Sequence, residues 1–225
     1  MRKNILITGA SSGLGAEMAR QFAAKGRNLA LCARRLDRLE ELRDELASSG
    51  VTVAIRALDV NDHEAVFAEF TSLRDELGGL DRVIVNAGLG KGARIGTGRF
   101  DANRATAMTN FVAGLAQCEA AMTIFREAGA GHLVVVSSVS AMRGMPGSIT
   151  VYAASKAGIA ALAEGIRSDV LGSPIKVTTL FPGYIRSEMN ERVAQRVRFI
   201  VDTEPGVRAM VAAIEREPAE ATVPA

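Results

Sequence analysis

Residues 4–15 read Asn-Ile-Leu-Ile-Thr-Gly-Ala-Ser-Ser-Gly-Leu-Gly, an apolar run that leads through a glycine-rich turn into an amphipathic segment. The apolar run is typical of a buried strand, and the segment after it has the periodicity of a helix. Free N–H groups and the dipole at a helix N-terminus favour a pyrophosphate, and glycines let the backbone approach that anion. The stretch therefore predicts a strand, a turn and a helix that bind a dinucleotide.

The glycine spacing is G-x-x-x-G-x-G, which differs from the G-x-G-x-x-G of other dinucleotide-binding folds. No Gly-Lys-Ser/Thr follows, so a kinase or ATPase phosphate loop is disfavoured. A plain turn between strand and helix is the alternative, and the position after the first strand favours the dinucleotide. The turn residues expected to bind the cofactor are Gly9, Ser11, Ser12, Gly13, Leu14 and Gly15.

Short apolar runs alternate with longer amphipathic stretches along almost the whole chain. This alternation predicts an α/β fold, a single doubly wound Rossmann-type parallel sheet of about six to seven strands with helices on both faces. Strands are expected near residues 3–8, 28–33, 51–58, 82–86, 131–137 and 175–181. Helices are expected near residues 14–25, 36–48, 62–77, 101–129, 152–171 and 204–216.

The length of 225 residues favours one catalytic domain over residues 1–225. The 27 Lys and Arg residues nearly cancel the 25 Asp and Glu residues, so neither nucleic acid nor an anionic membrane surface is an expected partner. Small molecules are expected instead. Ala-Thr-Val at 221–223 has the character of a further strand, which we expect to be truncated or weakly packed.

Cysteine and histidine usage predicts neither a disulfide nor a metal site. Cys32 lies in an apolar run and Cys118 in a helical pattern, without a C-x-x-C motif, which favours a reduced, cytoplasmic setting. His63 and His132 are far apart in sequence and are expected to be structural or exposed. The apolar run at 5–7 is too short for a signal peptide or a membrane span.

The second predicted strand ends at Ala33 and is followed by Arg34 and Arg35. An acidic side chain there would accept a hydrogen bond from the ribose 2′-hydroxyl and repel a 2′-phosphate, whereas arginine binds that phosphate. We therefore predict NADP(H) in preference to NAD(H), with Arg34 as the better candidate of the two. Alternatively, both arginines begin a solvated helix and pair with Asp37 or Glu41.

The third and fourth predicted strands end in residues suited to adenosine. A carboxylate at the third can accept from the adenine amino group, and small residues at the fourth let the backbone lie against the nucleoside. The contacts expected at these two strand ends are Asp59, Val60, Asn86, Ala87 and Gly88. A helix-capping acid and a simple turn are the alternatives, although Asn61 and Asp62 are better placed to cap.

Three side chains near the fifth strand suit proton and hydride chemistry. Tyr152 and Lys156 are four residues apart, which puts them on one helix face. A phenol has an ordinary pKa of about 10, so a nearby ammonium and an oxidised nicotinamide ring are needed to lower it towards neutrality. Ser138 can donate to the substrate oxygen as charge develops there. In isolation, Tyr-x-x-x-Lys on a helix is more often a pair of exposed surface residues without a function. The dinucleotide turn earlier in the chain favours the catalytic interpretation here.

Taken in order, the glycine turn, Asn-Ala-Gly, the strand-end serine and Tyr-x-x-x-Lys resemble the short-chain dehydrogenase/reductase family over nearly the whole chain. The resemblance implies that Ser138, Tyr152 and Lys156 are catalytic. It also implies that Asn110 is a fourth catalytic residue in a proton relay, where a helix-interior amide bonded to its own backbone is the alternative. The segment after the sixth strand resembles the turn over the nicotinamide, and its expected contacts are Pro182, Gly183, Ile185 and Ser187.

The resemblance implies an NADP(H)-dependent oxidoreductase that acts on a carbonyl/secondary alcohol pair, and a homodimer or homotetramer built through the long helices near 101–129 and 152–171. Met142, Met145, Pro146 and Ile149 suggest an apolar wall suited to a small or hydrophobic ketone or aldehyde, or else loop packing. A non-catalytic NADP-binding sensor or assembly module is the alternative. A nucleotide-sugar enzyme is disfavoured because it needs a longer C-terminal substrate domain.

Overall fold

The computed structural model describes residues 2–189 and 200–223, in which seven parallel strands form one sheet. The strands are β1 (Asn4–Thr8), β2 (Asn28–Ala33), β3 (Val53–Ala57), β4 (Arg82–Val85), β5 (Gly131–Val136), β6 (Ile175–Pro182) and β7 (Glu220–Val223). Their order across the sheet is β3-β2-β1-β4-β5-β6-β7. The predicted doubly wound Rossmann-type α/β fold is confirmed, and the Ala-Thr-Val stretch does form a seventh strand.

The crossovers between strands are helical. The helices are α1 (Gly13–Ala23), α2 (Leu36–Leu46), α3 (His63–Leu77), α4 (Phe100–Ala107), α5 (Ala113–Ala128), α6 (Thr150–Asp169) and α7 (Thr203–Arg216). The expected single helix over 101–129 is wrong in one respect, because a π-helical turn at Met108–Val112 separates α4 from α5. Such π turns insert a residue into the helical repeat and rotate the side chains that follow.

Two apolar layers cover the two faces of the sheet. In β1, Leu6 belongs to the core that contains Phe70, Phe125 and Ile159, so α3, α5 and α6 cover that face. Its neighbour Ile7 belongs to the core on the opposite face, which α1, α2 and α7 cover. Because successive side chains of a strand point to opposite faces, the continuous apolar run of β1 serves both cores.

The winding direction reverses between β1 and β4, which pair directly with Ile7 opposite Ile84. The carboxyl ends of these two strands and of β5 therefore open onto one crevice, as expected for a doubly wound sheet. The glycine turn after β1, the Asn-Ala-Gly motif after β4 and the serines after β5 all lie at this edge. The fold thus gathers the predicted site residues from distant parts of the sequence.

A buried hydrogen-bond chain joins strands at the opposite edge. Nε of Arg82 donates to Nδ1 of His132 at 2.8 Å, and the Thr178 hydroxyl donates to the Pro218 carbonyl at 2.6 Å. Nε2 of His132 must then donate to the Thr178 hydroxyl, 2.9 Å away. Burial, reinforced by the charge of Arg82, lowers the pKa of His132 to about 3, so this histidine is neutral and structural.

Other expectations from composition can be compared with the described residues. Cys32 and Cys118 are both buried free thiols, and burial raises the pKa of each to about 12. In residues 2–189 and 200–223, no group of three or more His, Cys, Asp or Glu residues is arranged to hold a metal ion. The same part of the chain contains no helix with the length and hydropathy needed to cross a membrane.

Candidate active site

The predicted serine, tyrosine and lysine meet at the carboxyl end of β5. The Ser138 hydroxyl lies close enough to the Tyr152 phenol to lower its pKa. The ammonium of Lys156 lies 5.9 Å from the centre of the Tyr152 ring and donates to the Val136 carbonyl at 2.8 Å. The Ser137 hydroxyl donates to the Lys156 carbonyl at 2.7 Å, which ties α6 to the strand end. The three side chains therefore form one cluster with a fixed backbone frame.

The surroundings of Tyr152 shift the pKa of its phenol in opposite directions. Burial raises the pKa of this phenol above 10.0, and the Ser138 hydroxyl only partly opposes the effect. Burial also lowers the pKa of Lys156 to about 8. Lys156 alone therefore does not lower the phenol pKa, because its ammonium is directed at the Val136 carbonyl rather than at the phenol oxygen. The protein alone holds Tyr152 as a neutral proton donor.

Asn110 lies in the π-helical turn and reaches across to the loop after β4. Its Oδ1 accepts from the Leu89 N–H at 2.7 Å, and its Nδ2 donates to the Leu89 carbonyl at 3.0 Å and to the Ser155 hydroxyl at 3.1 Å. The alternative of an amide bonded to its own helix backbone does not describe these contacts. A Cβ at Gly88 would lie 3.4 Å from Asn110 Oδ1 and 3.5 Å from Lys156 Nζ. Asn110 therefore fixes the loop beside Lys156.

The glycine turn has the geometry that its spacing predicts. Gly9 and Gly13 have φ of +66° and +53°, in the left-handed region that favours glycine. A Cβ at Gly15 would lie 2.3 Å from the Gly9 carbonyl oxygen, so only glycine lets α1 pack this closely. Ser12 is the N-cap residue of α1, and its side chain does not cap the helix. Ser11 and Leu14 complete this turn, whose first N–H groups suit an anion.

The turn is joined to the end of β4 by Thr8. Its hydroxyl oxygen accepts from the backbone N–H groups of Asn86 and Ala87, both at 3.1 Å. Nδ2 of Asn86 donates back to the Thr8 carbonyl at 2.9 Å. These reciprocal bonds hold the first and fourth strand ends in register, so the glycine turn and the Asn-Ala-Gly motif form one surface.

The two arginines after β2 have different surroundings. Nε of Arg35 donates to the Ser11 hydroxyl at 3.3 Å, and its Nη2 contacts Glu188 at 3.1 Å. The pKa of the Glu188 carboxyl is lowered chiefly by Arg35, and the Ser12 hydroxyl lowers it further. Arg34 is exposed and lowers the pKa of Asp59 through its charge. Both side chains are exposed and Arg35 is the N-cap residue of α2, so these arginines do begin a solvated helix. In the described residues, however, neither pairs with Asp37 or Glu41.

Asp59 and Val60 follow β3. Burial raises the pKa of the Asp59 carboxyl, but hydrogen bonds from Asn61 and the charge of Arg34 outweigh burial, so the pKa is lowered overall. Oδ1 of Asp59 accepts from the Asn61 N–H at 3.0 Å. Asp62 is the N-cap residue of α3 and accepts from the Ala65 N–H at 3.0 Å, as the sequence predicts for this position. The Asp59 carboxylate is therefore ionised and is not the helix cap.

The segment after β6 turns back over the glycine loop. Pro182 ends β6, and the Gly183 N–H donates to the Val223 carbonyl at 2.8 Å. Ile185 is buried against Gly206, and a Cβ at Gly13 would lie 3.3 Å from the Cβ of Ser187. This contact brings the predicted nicotinamide turn to the start of α1, on the same crevice as the other candidate residues.

Sequence reasoning missed Thr8, Ser137, Ser155 and Glu188. The first three are small hydroxyl residues beside recognised motifs, and their burial was the signal that the sequence did not supply. Ser155 donates to the Tyr152 carbonyl at 2.8 Å and so links Asn110 to the tyrosine turn. No sequence motif marks Glu188 as a site residue, because its partner Arg35 lies in a distant part of the chain.

Comparisons with known proteins agree with this arrangement. A family model described as short chain dehydrogenase matches residues 3–198. The chain belongs to the short-chain dehydrogenase family. It is an oxidoreductase of that family, and family members of this type act on the CH–OH group of their donors. An uncharacterized oxidoreductase of Mycobacterium tuberculosis is 57% identical over 225 residues, which covers 99% of this chain and 88% of the relative.

Solved short-chain dehydrogenase structures share the fold. The short-chain dehydrogenase from Sphingobium yanoikuyae in complex with NADPH superposes with a TM-score of 0.88 at 27% identity, covering 98% of this chain and 87% of that one. The 3-oxoacyl-[acyl-carrier protein] reductase from Brucella melitensis in complex with NAD has a TM-score of 0.88 at 26% identity, covering 99% and 95%. Similar folds therefore bind either dinucleotide, and the choice depends on local residues.

Proposed function

We propose that this enzyme is an NADP(H)-dependent carbonyl reductase or alcohol dehydrogenase whose catalytic residues are Ser138, Tyr152, Lys156 and Asn110. The observation that carries the proposal is the cluster at the end of β5, where the buried Lys156 ammonium lies 5.9 Å from the centre of the Tyr152 ring and the Ser138 hydroxyl acts on the Tyr152 phenol. Two hydroxyls that converge on one point can both bond a substrate carbonyl oxygen, and a neutral phenol can protonate it.

In the reductive direction, Tyr152 donates its phenolic proton to the oxygen of the substrate, and Ser138 donates a hydrogen bond to the same oxygen. These bonds stabilise the negative charge that develops there. Lys156, held by the Val136 carbonyl, adds its charge to that which a bound oxidised nicotinamide would supply, and the two together stabilise the resulting phenolate. Lys156 then passes a proton towards it. Asn110 keeps the loop at Leu89 and Gly88 in place beside that ammonium. NADPH, when bound, supplies the hydride.

The residues present fit a dinucleotide that carries a 2′-phosphate. The uncapped N-terminus of α1 and the glycine turn suit a pyrophosphate. Arg35 contacts Ser11 of that turn and already binds a carboxylate, that of Glu188, so an anion is accommodated at this position. Arg34 adds a second guanidinium. The side chains and backbone groups that would hold the adenosine are those of Asp59, Val60, Asn86, Ala87 and Gly88.

Tyr152→Phe tests the acid/base assignment. We expect turnover of a carbonyl substrate to fall by at least about a hundredfold, because general acid catalysis contributes about that much, while the Kd for NADPH changes little. Turnover would be followed by the loss of NADPH absorbance and binding by calorimetry. Unchanged turnover would remove the proposed role of the phenol. Phenylalanine is the appropriate replacement, because it keeps the packing of the ring and removes only the hydroxyl.

We also propose that the chain acts as one catalytic domain in the cytoplasm and assembles as a homodimer or homotetramer. Support for assembly comes from exposed apolar side chains on the helices that cover one face of the sheet, namely Phe67, Phe100, Met108 and Phe111. Monomeric proteins seldom expose such side chains in groups. Sedimentation at micromolar concentration would measure the mass, and a monomer would contradict this assembly.

A further inference from the structure

Two segments border the mouth of the site, and neither contains an acidic residue. The chain has 25 Asp and Glu residues among 225, yet residues 86–100 and 137–163 include none. The first segment follows β4 and carries Lys91 and Arg94. The second contains Ser138, Tyr152 and Lys156 and carries Arg143 on its loop. These two segments are therefore positively charged, although the whole chain is close to neutral.

The loop after β4 runs outwards from the catalytic lysine to the mouth. Its inner end is Gly88, where a Cβ would lie 3.5 Å from Lys156 Nζ. Further out, a Cβ at Gly90 would lie 2.9 Å from the side chain of Met189, and one at Gly92 would lie 2.0 Å from the Ser148 carbonyl oxygen. Lys91 therefore lies between Gly90, which approaches the segment after β6, and Gly92, which approaches the loop after β5. At most about 10 Å of backbone separates Lys91 from Gly88.

The loop is held in this position by side chains from the following helices. Oδ1 of Asn103 accepts from the Ala93 N–H at 2.9 Å, and the Asn110 amide pairs with both backbone groups of Leu89. Because these bonds fix the backbone on either side of Lys91, the position of its Cα does not depend on a bound molecule. A preformed loop loses less conformational entropy when a ligand binds.

The three cations at the mouth are available to a ligand. Lys91, Arg94 and Arg143 are exposed, and none of their side chains has a hydrogen-bond or ion-pair partner within residues 2–189 and 200–223. Glu188, an acidic residue of the segment after β6, is paired with Arg35 and not with any of these three cations. Their surroundings differ from those of Arg99 and Arg186, which pair with Asp101 and Asp202.

Exposed apolar side chains lie on the same segments as the cations and the catalytic groups, or contact them. Met142 is 54% exposed, Ile149 37% and Met189 50%. Flexible methionine side chains adapt to apolar ligands of varied shape, so this part of the cleft suits a hydrocarbon chain. The segments around the hydroxyl pair therefore carry both exposed apolar side chains and exposed cations.

We propose that the substrate is a carbonyl compound with an apolar chain that ends in an anionic group, and that Lys91, Arg94 and Arg143 bind that group. A carboxylate at the end of the chain is the simplest such group. This inference rests on the proposed function, because it places the carbonyl at Ser138 and Tyr152. The apolar chain then extends past Met142 and Ile149 to the rim.

A matched pair of substrates tests the inference. One is a medium-chain aldehyde with a carboxylate at its other end, and the other is the methyl ester of the same compound. We expect kcat/KM with NADPH to be about tenfold higher for the acid, since several exposed ion pairs each contribute modestly. The preference should decrease as salt is raised, because exposed charges are screened. Equal kcat/KM for the two compounds would overturn the inference.

Variants assign the effect to the rim. The triple variant Lys91→Gln, Arg94→Gln and Arg143→Gln should lose the preference for the acid and keep the rate with the ester. Arg126→Gln is the matched control, because Arg126 is also an exposed arginine without a partner in the described residues but lies at the far end of α5. A triple variant that keeps the full preference would overturn the assignment.

Direct binding separates this inference from the proposed function. A saturated carboxylic acid of the same chain length should bind the complex of the enzyme with NADP⁺ in calorimetry, and its Kd should rise about tenfold in the triple variant. If neither aldehyde is reduced but this binding is seen, the proposed reaction fails and the anion site stands. If both aldehydes are reduced equally and the acid does not bind, the reaction stands and the anion site fails.

Discussion

Lys156→Met is expected to stabilise the protein and to inactivate it. Burial lowers the pKa of Lys156 from 10.5 to about 8, and at 1.36 kcal/mol per unit this corresponds to about 3 kcal/mol of destabilisation at neutral pH. Removing the ammonium also loses its hydrogen bond to the Val136 carbonyl, which costs about 1 kcal/mol. The net gain is about 2 kcal/mol, or about 4–8 °C in Tm for a chain of this size.

The pH dependence of this effect has a definite sign. The unfolded lysine titrates near 10.5 and the folded one near 8, so the unfolded chain binds more protons between these pH values. Stability of the wild type therefore rises over this interval, where the variant has no corresponding titration. The stability difference between the two proteins should be largest at pH 7 and should shrink as the pH rises from about 8 towards 10.5.

Urea unfolding of the free protein at pH 7 and at pH 10, followed by circular dichroism, measures the difference directly. Methionine is the appropriate replacement because it keeps most of the aliphatic stem. A variant that is less stable than the wild type at pH 7, or a difference that stays constant with pH, would refute the reasoning. Loss of turnover in the more stable protein would show that the buried ammonium is retained for chemistry.

Other predictions concern the cofactor site and the buried network. Arg34→Ala and Arg35→Ala should each raise the Kd for NADPH about tenfold while changing that for NADH little; equal losses would contradict the phosphate assignment. Glu188→Gln should lower the Kd for NADPH by a factor of about three, because Arg35 then has no competing carboxylate; a higher Kd would contradict it. The pKa of His132 is about 3 in the folded protein and 6.5 in the unfolded chain, so the unfolded chain binds the extra proton between these pH values. His132 therefore lowers the free energy of unfolding by up to about 1.4 kcal/mol for each pH unit below 6.5. His132→Gln should remove this contribution in urea titrations, and an unchanged slope would contradict it.

The sequence predicted those parts of the fold and site that depend on local patterns. The glycine turn is an example, because the φ angles of Gly9 and Gly13 and the close packing at Gly15 are properties of a short stretch. The spacing of Tyr152 and Lys156 likewise fixed their common helix face. Strand and helix positions followed from hydrophobic periodicity to within a few residues.

Features that depend on distant contacts could not be predicted in this way. The π-helical turn at Met108–Val112 interrupts a pattern that reads as one continuous helix, and its effect is to direct Asn110 at Leu89. The pairing of Arg35 with Glu188 and the chain from Arg82 through His132 join residues far apart in sequence. The raised pKa of Tyr152 depends on burial, which a four-residue spacing does not reveal.

The pKa of the Tyr152 phenol tests the central claim most directly. The chain has two tyrosines and no tryptophan, so Tyr184→Phe leaves Tyr152 as the only phenol that titrates in ultraviolet absorbance. In the free protein we predict ionisation above the ordinary value of 10.0, because burial dominates. With NADP⁺ bound, the pKa should fall by at least about one unit, because the positive nicotinamide ring and Lys156 then act together on the phenolate. A phenol that titrates at the same pH with and without NADP⁺ would contradict the account.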